Sequence, residues 1–153
     1  MSVRLILAIN PGSTSTKFAV YRNDLPVFEM NLIHSLEDLS NFKNIAEQYE
    51  FRKRLIIDKL TENKIDLSEI KAVVGRGGLV KPIESGVYEI NERMISDLKS
   101  AAGGEHASNL GALIARDISD SLPGSKAYIV DPVVVDELQP EARITGFAEI
   151  RRI

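Results

Sequence analysis

With 153 residues, 44% of them hydrophobic, the chain is long enough for one domain with a buried core. A formal net charge of -3 without a basic cluster argues against a nucleic-acid partner, and the apolar N-terminal stretch is too short for a signal sequence or a membrane span. The absence of cysteine excludes disulfides, thiolate metal sites and a cysteine nucleophile, and it fits a cytoplasmic protein.

Three successive strands are predicted at the N-terminal end, over residues 5–9, 18–21 and 27–33. The links between them are short, which indicates antiparallel hairpins. The first strand is apolar on both faces and is therefore expected at the centre of a sheet. In the third strand apolar and polar residues alternate, which is typical of a half-exposed strand.

The rest of the chain alternates helices and strands. Apolar residues near helical spacing predict one helix over residues 41–63, a second around 94–102 and a third over 110–122, which ends at Pro123-Gly124. Residues 72–74 and 127–130 are predicted buried strands, and residues 87–90 fit a short one. This order is that of a ribonuclease-H-like (actin-like ATPase) domain. We therefore expect an α/β fold with a mixed five-stranded sheet and helices on its faces.

The segment between the first two strands reads NPGSTSTK over residues 10–17. Its glycine lets a ligand approach the backbone closely, and its hydroxyls, amide groups and lysine can all donate to a phosphate. It is not a Walker A loop, because it has no second glycine before the lysine and no helix pattern follows. The segment predicts a phosphate-binding hairpin, with an ordinary polar turn as the alternative.

Two further polar segments adjoin predicted strands or helices. Arg76 lies among glycines just after the strand at residues 72–74, so it can be aimed into a cleft without steric competition. Its planar guanidinium suits a carboxylate or a phosphate. The alternative is a solvated arginine in a glycine turn. His106 precedes the helix at residue 110, where an anion is stabilised and either ring nitrogen could donate to it. Ser108 or Asn109 is expected to cap that helix.

Asp131 follows the last predicted strand directly. A carboxylate in that place can hold a metal-bound water or face a phosphoryl group during transfer. The alternative is that Asp131 caps a helix in which Pro132 occupies the first position.

Together these segments resemble the butyrate kinase family, which belongs to the acetate and butyrate kinase group of the actin-like ATPases. The matching segments are NPGSTSTK at residues 10–17, GRGGL at 75–79, SGVY at 85–88, HASNLG at 106–111 and IVDPVVVDE at 129–137. The acetate kinase branch fits less well, because Gly75 and Gly77 stand where that branch has histidines.

The resemblance implies a reversible reaction, ATP plus butyrate to ADP plus butyryl phosphate, in short-chain fatty acid metabolism, with ATP and Mg²⁺ as cofactors. It implies a catalytic group comprising Arg76 for the substrate carboxylate, His106 for the transferring phosphoryl group, and Asp131. The implied nucleotide-binding residues are Asn10, Gly12, Ser13, Ser15 and Lys17. The implied metal-binding residues are Asn10 and Asp131.

Members of this family have two actin-like domains, so residues 1–153 are expected to be the single N-terminal domain, with the second domain absent from this chain. The domain alone is expected to be nearly inactive, and the full-length protein is expected to be a homo-oligomer. Two alternatives stay open. The acid could be another short or branched one, such as isobutyrate, propionate or acetate, or the chain could be a non-catalytic actin-like partner module.

Overall fold

The strands form one mixed sheet in the order β3-β2-β1-β4-β6-β5. The computed structural model describes residues 4–135 together with 137, 139 and 141, so Asp136 of the last matching segment and the tail at residues 142–153 lie outside the description. The strands are β1 (Leu5–Pro11), β2 (Ser15–Arg22), β3 (Leu25–Ile33), β4 (Ile70–Arg76), β5 (Val87–Glu89) and β6 (Lys126–Val130). The sequence predicts a five-stranded sheet, and the structure has six strands. The sixth is β5, which the sequence indicates as a short strand at residues 87–90 and which pairs antiparallel with β6 at the sheet edge.

The α-helices are α1 (Leu36–Ser40), α2 (Tyr49–Glu62), α3 (Glu92–Lys99) and α4 (Asn109–Ser121), with short 3₁₀ helices at Ala46–Gln48 and Leu67–Glu69. The prediction of one helix over residues 41–63 is wrong in its first part. Ser35 and Asp38 form a capping box that starts α1 early. The Asn44 side chain then accepts from the Glu47 amide, a local bond that competes with a continuous helix. Among the residues that the structure describes, no helix is long and apolar enough to cross a membrane.

The central position predicted for β1 is confirmed, since β1 pairs antiparallel with β2 and parallel with β4. Burial on the two faces differs from the prediction. Leu7 is fully buried and belongs to a core cluster that includes buried residues of α2, α3 and α4. Ile6, on the opposite face, is 37% exposed. The helices predicted on the faces of the sheet are present, and α2, α3 and α4 all contribute to the same core cluster as Leu7.

Helix α4 packs closely against the end of β4. A Cβ on Gly75 would lie 2.3 Å from the Gly111 carbonyl carbon, and a Cβ on Gly111 would lie 2.4 Å from the Arg76 carbonyl oxygen. The two backbones touch because neither residue has a side chain. This contact places the start of α4, and the loop before it, directly beside the carboxyl end of β4.

Candidate active site

A row of exposed polar side chains crosses one end of the sheet. The strand register pairs Lys17 of β2 with Asn10 of β1 on one side and with Asn31 of β3 on the other. Arg76 is the last residue of β4, which runs parallel beside β1. Directly opposed residues on neighbouring strands point to the same face of the sheet, so these side chains lie together at one end of it.

This row borders a cleft of about 510 Å³, which is within the range of ligand-binding clefts. The predicted site residues that line it are Asn10, Gly12, Ser13, Ser15, Lys17, Arg76 and His106. Asp131 lies instead in an adjoining cleft of about 470 Å³, which also contacts Asn10, Lys17 and Arg76. The fold therefore brings all the predicted site residues to one end of the sheet, in two connected clefts.

The hairpin between β1 and β2 is shorter than the sequence predicts. Both strands extend into the polar segment, with Pro11 opposite Thr16. The Gly12 amide donates to the Ser15 carbonyl at 2.8 Å and closes the turn. Ser13 is exposed and Ser15 half-buried at the cleft, where their hydroxyls can meet a ligand.

The sequence analysis did not predict the buried arginine that holds this hairpin. Arg52 of α2 donates to the carbonyl oxygens of Gly12 at 2.7 Å, Ser15 at 2.8 Å and Ser13 at 3.0 Å. A signal was present, because Arg52 lies one helical turn before the buried Ile56 and so falls on the apolar stripe of α2. Burial lowers the pKa of Arg52 to about 10, so the guanidinium still carries its charge at neutral pH.

The glycines beside Arg76 allow close packing of the backbone, which differs from the role that the sequence suggests. They were expected to free the arginine from steric competition. Instead, Gly75 lies against Gly111, and a Cβ on Gly77 would lie 2.4 Å from the Cα of Pro132. The Arg76 backbone is thus clamped between α4 and the segment after β6, while its side chain is exposed at the cleft.

His106 is held through one ring nitrogen. Its Nδ1 lies 2.6 Å from the Ser108 hydroxyl and accepts from the Ser108 backbone amide at 3.2 Å. A backbone amide can only donate, so Nδ1 is the acceptor and the proton of the neutral ring is on Nε2. The His106 side chain is exposed at the cleft, where Nε2–H is the nitrogen left to donate to a ligand.

The predicted side-chain cap of α4 is wrong for both candidates. Ser108 occupies the cap position but makes no side-chain cap bond, because its hydroxyl is bonded to His106. Asn109 joins two loops instead: its Oδ1 accepts from the Leu79 amide and its Nδ2 donates to the Gly104 carbonyl, both at 2.9 Å. Both side chains therefore position loops around the cleft.

Asp131 directly follows β6 in a left-handed backbone conformation, with φ of 40°. Its Oδ1 accepts from the Gly86 amide and its own amide donates to the Gly86 carbonyl, both at 3.1 Å. Residues 132–135 form a turn and no helix follows Asp131 in this described segment, so the alternative in which Asp131 caps a helix is wrong. Left-handed non-glycine residues carry strain that surrounding contacts must hold, and Gly86 supplies two such contacts here.

The residues at this end of the sheet can supply only part of the ligand shell of a Mg²⁺ ion. Within the described ranges, no three His, Cys, Asp or Glu side chains cluster as a metal site. Mg²⁺ at nucleotides typically uses one or two carboxylates and completes its shell with phosphate and water oxygens. Asp131 and Asn10, which border the same cleft, match that limited requirement.

No family model matches this chain. Among solved structures, the chain is similar to acetate kinase from Entamoeba histolytica, with a TM-score of 0.54, 19% identity and coverage of 95% of this chain and 39% of that one. Acetate kinase from Porphyromonas gingivalis gives a TM-score of 0.54, 17% identity and coverage of 83% and 37%. The chain has the actin-like ATPase fold.

An exopolyphosphatase from Cytophaga hutchinsonii shares the fold more distantly, with a TM-score of 0.51, 10% identity and coverage of 85% of this chain and 54% of that one. At these identities the likeness concerns the fold. The chain spans about two fifths of the length of the two acetate kinases.

Proposed function

We propose that this chain is the N-terminal domain of a kinase that transfers a phosphoryl group from ATP to a short-chain carboxylate, with butyrate as the preferred acid. The observation that carries the proposal is the cleft in which the hydroxyl-rich hairpin, Lys17, Arg76 and His106 meet. The fold shared with two acetate kinases supports it. The preference for butyrate rests on the motif resemblance described above.

The chemistry asks for positioning and charge neutralisation. A carboxylate with a pKa of about 4 is already ionised at neutral pH, so no general base is required. One carboxylate oxygen forms the new bond to the γ-phosphorus while the bond to the oxygen of ADP breaks. Arg76 would hold the carboxylate in line, and its fixed charge would offset the charge that develops on the phosphoryl oxygens.

The remaining residues would act on the phosphates. Lys17 and the hydroxyls of Ser13 and Ser15 would hold the nucleotide, with Gly12 allowing close approach. Nε2–H of His106 would donate to an oxygen of the transferring group. Bound Mg²⁺ would neutralise phosphate charge, and Asn10 and Asp131 are the residues that would hold it.

The full-length protein, assayed for acyl phosphate with hydroxylamine, tests this proposal. ATP, Mg²⁺ and acids from acetate to valerate, with isobutyrate, are supplied in turn. We expect the highest kcat/KM with butyrate or isobutyrate. A preference for acetate or propionate would contradict the proposed length of the acid but leave the proposed type of reaction standing. If the folded protein binds ATP but forms no acyl phosphate from any acid, the kinase proposal is overturned and the non-catalytic module is favoured.

We also propose, on the resemblance alone, a cytoplasmic enzyme that is a homo-oligomer at full length. Light scattering on the full-length protein tests the oligomer directly, and a monomer across micromolar concentrations would contradict it.

A further inference from the structure

The buried Arg52 holds the phosphate hairpin and is not among the residues that line the cleft. Its side chain is only 1% exposed. Besides the three hairpin carbonyls, its Nη1 donates to the Thr16 hydroxyl at 3.1 Å, and its Nε and Nη2 donate to Gln48 Oε1 at 3.2 and 2.8 Å. A guanidinium has five N–H groups, and these partners are sufficient to occupy all of them.

Every one of these acceptors is electrically neutral. They are three backbone carbonyls, one hydroxyl and one carboxamide oxygen. A buried charge is costly unless it is paired, and neutral hydrogen bonds offset only part of that cost. Arg52 therefore brings an uncompensated positive charge to the hairpin.

The same bonds direct the hairpin's own dipoles. The carbonyl oxygens of Gly12, Ser13 and Ser15 all accept from Arg52, which does not line the cleft, so the negative ends of these peptide groups are directed at the guanidinium. An anion in the cleft meets fewer carbonyl oxygens and an additional positive potential.

We propose that Arg52 is a positioning residue for nucleotide phosphate: it orients the hairpin and supplies a buried positive charge that bound phosphate balances. This inference rests on the proposed function and names how its phosphate-binding hairpin is built. The competing explanation is that Arg52 only latches α2 to the hairpin, with no electrostatic effect on the ligand.

Gln48→Glu separates the two explanations. The glutamate keeps the shape of Gln48 and the acceptor oxygen that Arg52 uses, and it adds a negative charge beside the guanidinium. A purely structural latch would be kept, since a charge-assisted bond replaces a neutral one. The proposed electrostatic effect would be cancelled, because the added charge neutralises Arg52.

The experiment measures pyrophosphate and Mg²⁺-ATP binding to the full-length protein by calorimetry at low salt, with Tm recorded for each variant. We expect Gln48→Glu to raise both Kd values about tenfold, since a nearby unit charge acts strongly in protein surroundings. Its Tm should not fall. Asn23→Asp makes the same change of charge in the exposed β2–β3 turn and should bind like the wild type. In turnover, Gln48→Glu should raise KM for ATP more than KM for the acid.

Unchanged Kd values in a folded Gln48→Glu protein would overturn the role of Arg52 and leave the kinase proposal standing. A folded wild type that binds neither pyrophosphate nor ATP would overturn both. Should Gln48→Glu fail to fold, Arg52→Lys and Arg52→Gln decide the same point. The proposal requires tighter pyrophosphate binding by the charged variant, and equal binding by the two would overturn it.

Discussion

At the residue scale, the candidate site uses two arginines in opposite ways. Arg76 has a clamped backbone and an exposed side chain, which suits a group that must meet a substrate. Arg52 has a buried side chain whose donors are occupied by the protein. The first is expected to act on the reacting atoms and the second on the shape and potential of the hairpin.

Replacing Arg76 with alanine tests the first of these roles. In the full-length protein we expect Arg76→Ala to lower kcat by about 10²–10³, the usual loss for one electrostatic donor at a reacting group. Steady-state kinetics with ATP and butyrate measure this. Arg54→Ala, which removes an exposed arginine from α2, should leave kcat unchanged. Near-normal turnover of the Arg76 variant would reject its assignment.

The orientation of His106 gives a second prediction at this scale. Ser108→Ala removes the hydroxyl that contacts Nδ1 and leaves only the longer backbone-amide bond to hold the ring. We expect kcat to fall about 10- to 100-fold, because misplacing a donor by about 1 Å costs up to that much, with little change in KM for ATP. Ser100→Ala, in an exposed position after α3, is the matched control. Equal kcat in both variants would show that Ser108 does not orient the histidine.

At the element scale, the decisive contact is the backbone junction of β4 and α4. An alanine inside a helix normally stabilises by about 1 kcal/mol relative to glycine. At Gly111 the new Cβ would lie 2.4 Å from the Arg76 carbonyl oxygen, so the helix and the strand would have to separate. The effect of packing therefore opposes that of helix propensity.

We expect Gly111→Ala to lower the free energy of unfolding by about 1–3 kcal/mol, the usual cost of overpacking. Urea denaturation followed by circular dichroism measures it. Ser121→Ala, at the exposed end of the same helix, should change stability by a few tenths of a kcal/mol at most. A stabilised Gly111 variant would mean that the junction is not as tight as the structure indicates.

Prediction from sequence was most successful for elements with clear local periodicity. The alternation in β3 correctly separates the half-buried Phe28 and Met30 from the exposed Glu29. Helix α4 lies within one residue of its predicted bounds. The first part of the predicted 41–63 helix failed because a capping box and an asparagine bond, each a short-range side-chain effect, override a weak apolar period.

At the scale of the whole molecule, pH should influence stability through His34. This histidine joins three elements: it follows β3, its Nε2 lies 2.8 Å from the Thr16 hydroxyl of β2, and its ring meets Phe51 of α2 edge-on. Burial, and then the positive charge of Arg52, lower the pKa of His34 below its ordinary value of 6.5, although Asp38 opposes the shift.

The direction in which pH changes the free energy of unfolding follows from which state of the protein, folded or unfolded, takes up a proton first. Well above pH 6.5 His34 is neutral in both states, and its contribution to stability is fully present. As pH falls below 6.5 the unfolded chain is protonated first, so the free energy of unfolding decreases until the folded histidine is protonated too. Asp38, whose pKa is lowered from 3.8 by its bonds to Ser35, contributes only in more acid solution.

We expect urea denaturation between pH 7.5 and about 5 to show this decrease, and His34→Gln to flatten it. His106→Gln removes the exposed histidine and serves as the comparison that separates the contribution of His34 from that of the other histidine. An NMR titration of the His34 ring measures its pKa directly. A pKa at or above 6.5, or an unchanged slope in His34→Gln, would contradict the prediction.

The sequence by itself determined the fold class, the central place of β1, the antiparallel start of the sheet and the polar segments that meet at its end. These follow from residue patterns a few positions long, which report local conformation and the face on which a side chain lies. Only the tertiary structure decided which ring nitrogen of His106 remains free, why Gly75 must be glycine, and that Arg52 holds the hairpin. The bonds from Arg52 reach carbonyls up to 40 positions away in the chain, and such contacts are decided by how elements pack, which no local period records.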